Sequence, residues 1–531
     1  MELTLTRPPD SAQVAVACEG APSHTFDLTR LIPARGVTGR PPQPLEDPIK
    51  YGEAVYAALF PPNSPAQRAL EAQPERILLV LEDVELHTIP WEYACSPRGF
   101  LVLDFHFVRG LPHEQRITPP TLEGGLHVVA VPSNPLEQDI PPLDIDGEWE
   151  RLKEVIGAVP AALRLERARP PTLEKLRDLL AGQTNRVAHF MGHGGQHEGQ
   201  AVLLFEKENG AVDFVTAQEF VRRVRKTVFL VTLNACVSAT PGPTEFSNLA
   251  AALAAQGAPY ALGMRFSIVD DDARAFSRTL YSELARGSSV EEAVMQARQT
   301  LDKNERAWAV GVPVLYTSLS APAPGFARAE GAPRIDEHQP LLELSALPRA
   351  MGAFQGRVSE LKAIGGQLTG DVRPRLLTLH GGGGQGKTAL AREAAERFAH
   401  AWPGGVWAIS LENLPDQAAF VVRLAEFLRL EAEPAKLEAQ VLARLHARRT
   451  LLVLDNAETL VEAVRAGDEA ARELANFVRE QMPPTVTLDP ARHLARSPGL
   501  ARRSRARIGR PQPGGGRGTL PAERAKAGRN D

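Results

Sequence analysis

The sequence predicts an α/β chain in which mostly parallel sheets are flanked by helices, and three observations carry that prediction. Short apolar runs of strand length alternate with amphipathic helical patterns along most of the chain. Two of those runs lead into a histidine and a cysteine, His193 and Cys236, and a third leads through glycines into a helix. At 531 residues the chain exceeds the usual domain size of roughly 100 to 200 residues, so several units are expected. Hydrophobic residues make up 43% and charged residues 23%, an ordinary globular balance. No stretch approaches the ~20 apolar residues that span a bilayer, which excludes a helical membrane protein. The start, MELTLTRPPDSAQ, lacks the basic and apolar regions of a secretory signal, so the cytoplasm is the expected compartment. Three cysteines, Cys18, Cys95 and Cys236, fit neither a disulfide framework nor a zinc site.

Taken in order, Tyr51 to Phe60 reads as a helix, and Ile77 to Leu81 and Phe100 to Leu103 as strands. Leu126 to Val131 is a strand candidate followed by a Pro-rich loop. Helical patterns then run from Glu148 to Ile156 and through Leu173, Leu176 and Leu180. Next come the strand Arg186 to Met191, the helix Ala217 to Val224, the strand Val228 to Leu233, the helix Phe246 to Gln256 and the strand Tyr260 to Met264. Ala321 to Pro333 is the best linker. Beyond it, Phe354, Gly356 and Arg357 open a second unit with the strand Leu376 to His380, a glycine loop, the helix Thr388 to Ala399 and the strand Leu451 to Leu454. After Val486 the pattern stops. From Asp489 to Asp531 ten Arg and one Lys face three acids, a local +8 that leaves −12 for the body against the overall −4. This Arg-, Gly- and Pro-rich tail is expected to be disordered. The expected organisation is residues 1–120 as a first part, 121–320 as the part that holds His193 and Cys236, 321–347 as linker, 348–488 as a second α/β domain and 489–531 as tail.

His193 and Cys236 follow strand candidates, and ligands of an open parallel sheet bind beyond the carboxyl ends of its strands. A thiol beside an imidazole can be deprotonated to a nucleophile, and the Gly194 and Cys236 amides can donate to the oxyanion of acyl transfer. A buried apolar cysteine and a structural histidine are the plain alternative. His189, on the same strand face, is a rival base, but only His193 lies at the strand end. In the second unit, Gly381, Gly384, Gly386, Lys387 and Thr388 complete G-x-x-x-x-G-K-T between strand and helix. Its amides cradle phosphates, Lys387 reaches the terminal phosphates, and Thr388 ligates magnesium, with Asp455 at a strand end holding the ion through water. ATP or ADP with Mg2+ is the expected cofactor. Glu458 either polarises a water or caps its helix.

HFMGHGG followed by LVTLNACVSA resembles the His-Gly and Ala-Cys blocks of the caspase-like peptidase clan. More narrowly, these blocks together with IPWEYAC (Ile89 to Cys95), GAPYALGMRFSIVDDDARAFSRTLYSEL, SVEEAVMQAR and VPVLYTSL resemble the CHAT domain. The resemblance implies a cysteine endopeptidase acting on a protein substrate, with residues 1–120 as an inactive pseudo-caspase companion. It also implies that Asp270, Asp271 and Asp272 shape the pocket for the residue before the cut. The alternative for these acids is a charged first turn of the helix Ala273 to Leu284. FQGRVSEL and LLVLDNAETL resemble the signal-transducing ATPases with numerous domains, the STAND and NB-ARC group. That resemblance implies a nucleotide switch, homo-oligomerisation and a role in bacterial signalling or defence, and relatives continue where this sequence turns Arg-rich, as though truncated or frame-shifted. A nucleotide-dependent scaffold whose CHAT domain binds without cutting is the competing function. Nucleic acid and membrane partners are not expected.

Overall fold

The computed structural model describes residues 1–31, 46–122, 124–182, 186–224, 227–234, 245–266, 268–348, 354, 356–382, 384–412, 414, 416–431, 433–489 and 503–507. The chain forms two compact units, Met1–Gln339 and Pro340–Asp531.

The first unit is built on a twelve-stranded sheet. Its strands run in the order Arg334–Asp336, Arg164–Arg167, His127–Pro132, Arg186–Met191, Val228–Asn234, Tyr260–Met264, Pro313–Thr317, His106–Gly110, Arg76–Leu81, Glu2–Thr6, Gln13–Cys18 and Ala21–Asp27. Neighbours are parallel except at Tyr260–Met264 with Pro313–Thr317 and at the two hairpin pairs that end the sheet at Ala21–Asp27. Residues 1–120 and 121–320 thus share one sheet. Alternation divides each central strand between two cores. Val187 and Met191 pack with Trp149, Leu152, Phe276 and Leu280 on one face, while Ala188 and Phe190 pack with Leu176, Phe220 and Leu249 on the other. Burial on both faces explains why these strands read as unbroken apolar runs.

Caps fix the helices. Asp144 accepts from Gly147 N to start Ile145–Gly157, Thr172 accepts from Lys175 N to start Leu173–Leu180, and Ser289 accepts from Glu292 N to start Val290–Gln299. Asp270–Arg286 ends on Gly287, whose φ of 98° is open to glycine at little cost. One expected strand is different: Gly99–Phe100 pairs only with Cys95–Ser96, and Leu101–Leu103 is a 3-10 turn closed by the Asp104 and Phe105 amides on Leu101 O. A short buried apolar run does not by itself distinguish the two conformations. Within the stretch read as linker, Ala323 and Phe326 are buried in the core of the first unit, and Arg334–Asp336 is the strand that ends the sheet beside Arg164–Arg167.

The second unit holds a six-stranded, all-parallel sheet ordered Leu342–Glu343, Gly405–Ser410, Thr450–Asp455, Thr485–Asp489, Leu376–His380 and Arg503–Arg507. Ile409, Leu452 and Leu454 pack with Phe420, Leu424, Leu445 and Leu474 from its helices. Arg503–Arg507 belongs to the tail expected to be disordered and runs beside Leu376–His380; most of the remaining tail lies outside the described residues.

Candidate functional site

In the first unit, the Arg186–Met191 strand delivers His193 two residues past its end. Met191 pairs in register with Asn234, the last residue of the neighbouring strand, and Cys236 stands two residues further along the sequence. Cys236 itself lies outside the described residues. His193 is partly buried, and its Nε2 lies 2.9 Å from Pro141 O. A carbonyl only accepts, so Nε2 carries the proton and Nδ1 keeps its lone pair for use as a base. Burial pushes the His193 pKa down, opposed by the Pro141 bond.

The backbone around His193 is held from two directions. Ser133 N donates to Met191 O at 2.7 Å, and Leu204 N donates to His193 O at 3.0 Å. Ser133 Oγ donates to Leu204 O, joining the two braces. Leu204 belongs to a three-stranded antiparallel sheet of Gly194–His197, Gln200–Glu206 and Val212–Thr216, in which Gly194 pairs with Leu203. A Cβ on Gly192 would come within 2.9 Å of Ser133 O and 3.0 Å of the Phe190 ring, so only glycine fits this close passage.

His189 is placed differently. It is buried, and its Nδ1 lies 2.6 Å from Tyr281 Oη and 2.7 Å from Thr232 Oγ1. Desolvation lowers its pKa to about 4, which keeps the ring neutral at physiological pH. His189 lines a cavity of about 50 Å3 with Met191, Met264, Phe266, Asp270 and Arg274. Of the acidic run, Asp270 alone faces this cavity, with Arg151 Nη1 3.9 Å away. Asp271 is exposed, and the fully buried Asp272 accepts from Lys303 Nζ at 2.6 Å and Arg306 Nε at 2.9 Å. Burial alone would raise its pKa, but these two cations overcome it and hold the carboxyl below its ordinary range.

The motif reading missed several charged groups. Arg109 is fully buried and spends all five donors: Nε and Nη2 on Glu92, Nη1 on His87 O and Tyr316 Oη, and Nη2 also on Ile89 O. Arg265, just past the Tyr260–Met264 strand, donates to Thr88 O and His87 O. The visible signal was an acid set among large apolar residues in IPWEYAC. Cys18 and Cys95 are buried thiols whose pKa values burial raises, the opposite of what a nucleophile needs.

In the second unit, Gly384 and Gly386 take left-handed φ values of 70° and 73° in the loop between Leu376–His380 and the Lys387–Arg397 helix. Lys387 Nζ donates to Gly381 O and Gly382 O at 3.1 and 3.2 Å. Thr388 Oγ1 lies 3.3 Å from Asp455 Oδ2, so a hydroxyl and a carboxylate converge at the carboxyl end of the sheet. Desolvation raises the Asp455 pKa, opposed by bonds from the Asn456 amide and Thr388. Such an oxygen pair suits a hard cation such as Mg2+ carried with a nucleotide's phosphates. Glu458 lies in the first turn of the helix Ala457–Arg465.

The description "AAA domain" matches residues 371–488, as expected of a phosphate-binding unit. Uncharacterized proteins of Mycobacterium bovis and Mycobacterium tuberculosis are each 32% identical over 119 residues, 22% of this chain and 30% of theirs. The chain therefore spans less than a third of the curated relatives it matches. Among solved structures, the Saccharomyces cerevisiae separase-securin complex aligns at 21% identity and a TM-score of 0.30, covering 48% of this chain and 16% of that one. Drosophila ORC bound to DNA aligns at 20% identity and a TM-score of 0.22, covering 29% and 43%. The CHAT domain matches residues 50–341, more than half of the sequence, and the chain belongs to the CHAT domain family.

Proposed function

We propose that the chain is a caspase-like cysteine endopeptidase fused to a nucleotide-binding switch. The observation that supports it most is the paired register of Met191 with Asn234, which makes His193 and Cys236 equally distant in sequence from adjacent strand ends. In this reading His193 Nδ1 takes the Cys236 thiol proton, and the thiolate attacks the scissile carbonyl. The Gly194 and Cys236 amides hold the tetrahedral oxyanion. Collapse expels the amine, which leaves with the proton from His193, and water then hydrolyses the thioester, releasing the acid and restoring the thiol. The Pro141 carbonyl keeps the imidazole in the tautomer and orientation this needs.

Asp270 supports a preference for a basic residue before the cut, against the competing charge of Arg151. The second unit would bind ATP or ADP with Mg2+ through Gly381, Gly384, Gly386, Lys387, Thr388 and Asp455 and control the peptidase, with oligomerisation as its means and cytoplasmic signalling or defence as its setting. Full-length protein treated with an acyloxymethyl-ketone probe tests the peptidase assignment. Cys236 should be labelled, while the buried Cys18 and Cys95 are spared. If Cys236 resists the probe with and without ATP, the peptidase reading gives way to a binding scaffold.

A further inference from the structure

We propose a cation site at the Arg334–Asp336 edge of the first unit's sheet. Glu166, Asp336 and one ring nitrogen of His338 would ligate a divalent first-row transition ion of the Zn2+ type, with His127 behind Glu166. The topology assembles it: Asp336 sits directly opposite Glu166 on parallel neighbouring strands, and His127 begins the next strand, opposite Arg164. Two carboxylates facing across a strand pair repel unless a positive charge lies between them.

One donor atom from each of Glu166, Asp336 and His338 lies within 4.8 Å of the others. His338 Nε2 is 3.4 Å from Glu166 Oε1, and His127 Nε2 is 2.8 Å from Glu166 Oε2. Donors about 2.1 Å from a shared ion stand about 3.0 Å apart in an octahedron and about 3.4 Å apart in a tetrahedron, so the 3.4 Å between His338 Nε2 and Glu166 Oε1 has that scale, and the Asp336 oxygen, within 4.8 Å of both, would move inward on binding. Neither imidazole Nε2 makes a hydrogen bond, although both atoms are buried, and the His127 side chain as a whole is 7% exposed. At 2.8 Å a missing hydrogen bond means that the His127 N–H does not point at Glu166, so the unpaired buried atom facing the cluster is His338 Nε2, 3.4 Å from Glu166 Oε1.

The existing contacts leave room for one. Arg164 Nη2 donates to Glu166 Oε1, and the His338 amide donates to Asp336 Oδ1 at 3.1 Å. His338 Nδ1 lies 3.4 Å from the same Asp336 oxygen, beyond normal hydrogen-bond length. Arg164 and His127 stand at the two Glu166 oxygens, so an ion would share Glu166 with Arg164, while the Asp336 carboxylate has no ion pair with an Arg or Lys among the described residues. Asp336 and His338 are about a third exposed, so an ion can enter from solvent. Mixed imidazole and carboxylate donors suit Zn2+ and its neighbours better than Ca2+. Binding would pin Arg334–Asp336 to Arg164–Arg167 immediately before the first unit ends at Gln339.

The test uses the full-length chain carrying Cys236→Ala, so that this thiol cannot bind zinc. Protein stripped with a chelator is titrated with Zn2+, and bound metal and amide exchange over residues 334–338 are measured. One Zn2+ per chain is expected, with exchange at Arg334 and Asp336 slowed at least about tenfold. Since losing a partner outside the coordination shell already costs about 10- to 100-fold in affinity, His338→Ala should weaken binding by at least about 100-fold. Asp455→Ala, which alters the nucleotide site, should leave this binding unchanged. Zinc binding equal in the parent and in His338→Ala, or no change in exchange at residues 334–338, overturns the proposal.

Discussion

Glu92→Gln should destabilise the first unit more than almost any other isosteric change. Glu92 and Arg109 are both fully buried, joined by bonds of 2.7 and 2.6 Å, and the other Arg109 donors are committed to His87 O, Ile89 O and Tyr316 Oη. Replacing the carboxylate leaves a buried guanidinium uncompensated, at a cost of about 3–5 kcal/mol. For a unit of 339 residues, an unfolding entropy of about 2.1 cal/mol/K per residue turns that loss into a Tm decrease of roughly 4–7 °C by calorimetry. The double variant Glu92→Leu/Arg109→Met should recover most of it, since an apolar pair of similar size avoids the stranded charge. Acid should act through the same pair. Desolvation raises the Glu92 pKa, but Arg109 outweighs it and the folded value lies below the ordinary 4.5. The pair's contribution is therefore complete above pH 4.5 and is lost as the pH falls through the depressed value. A Glu92→Gln protein that melts within about 1 °C of the parent refutes this reasoning.

Three further outcomes are expected. Burial lowers the His193 pKa below 6.5, so the neutral base persists below that pH, and the acid limb of the Cys236 reaction rate should fall below pH 6.5; a limb above pH 7 contradicts the assignment. Lys387→Ala should abolish binding of a fluorescent ATP analogue, and unchanged binding removes the phosphate-loop assignment. Asp272→Ala should cost about 1–3 kcal/mol in urea unfolding, less than a fully buried pair because Lys303 and Arg306 are 42% and 34% exposed and can rehydrate. It should leave the cleavage-site preference intact, and an altered preference would restore Asp272 to the pocket.

Much of the fold was legible because buried parallel strands leave a strong signal. Arg186–Met191, Tyr260–Met264 and Leu376–His380 have the bounds their apolar runs suggest, and Ala217–Val224 has those of its helical pattern. The glycine loop was legible for a different reason, since G-x-x-x-x-G-K-T is a fixed spacing, and the structure sets it between the strand Leu376–His380 and the helix Lys387–Arg397 with Gly384 and Gly386 left-handed. Backbone partners were not legible. Nothing in the side chain of Pro141 announces that its carbonyl orients His193. In the small sheet beginning at Gly194 the outer strands Gly194–His197 and Val212–Thr216 are polar or only partly buried, whereas the middle strand Gln200–Glu206 is buried and its run AVLLF was a signal the reading passed over. The acids of the Asp270 run look equivalent in sequence, and only packing turns Asp272 inward and Asp270 toward the cavity.

The central claim is tested most directly by a proteome-wide profile of new peptide termini, comparing full-length protein supplied with ATP and Mg2+ with its Cys236→Ala variant. The account predicts termini that appear only with the parent and share a basic residue immediately before the cut. Identical profiles from the two proteins, with both folded and binding nucleotide, would contradict it.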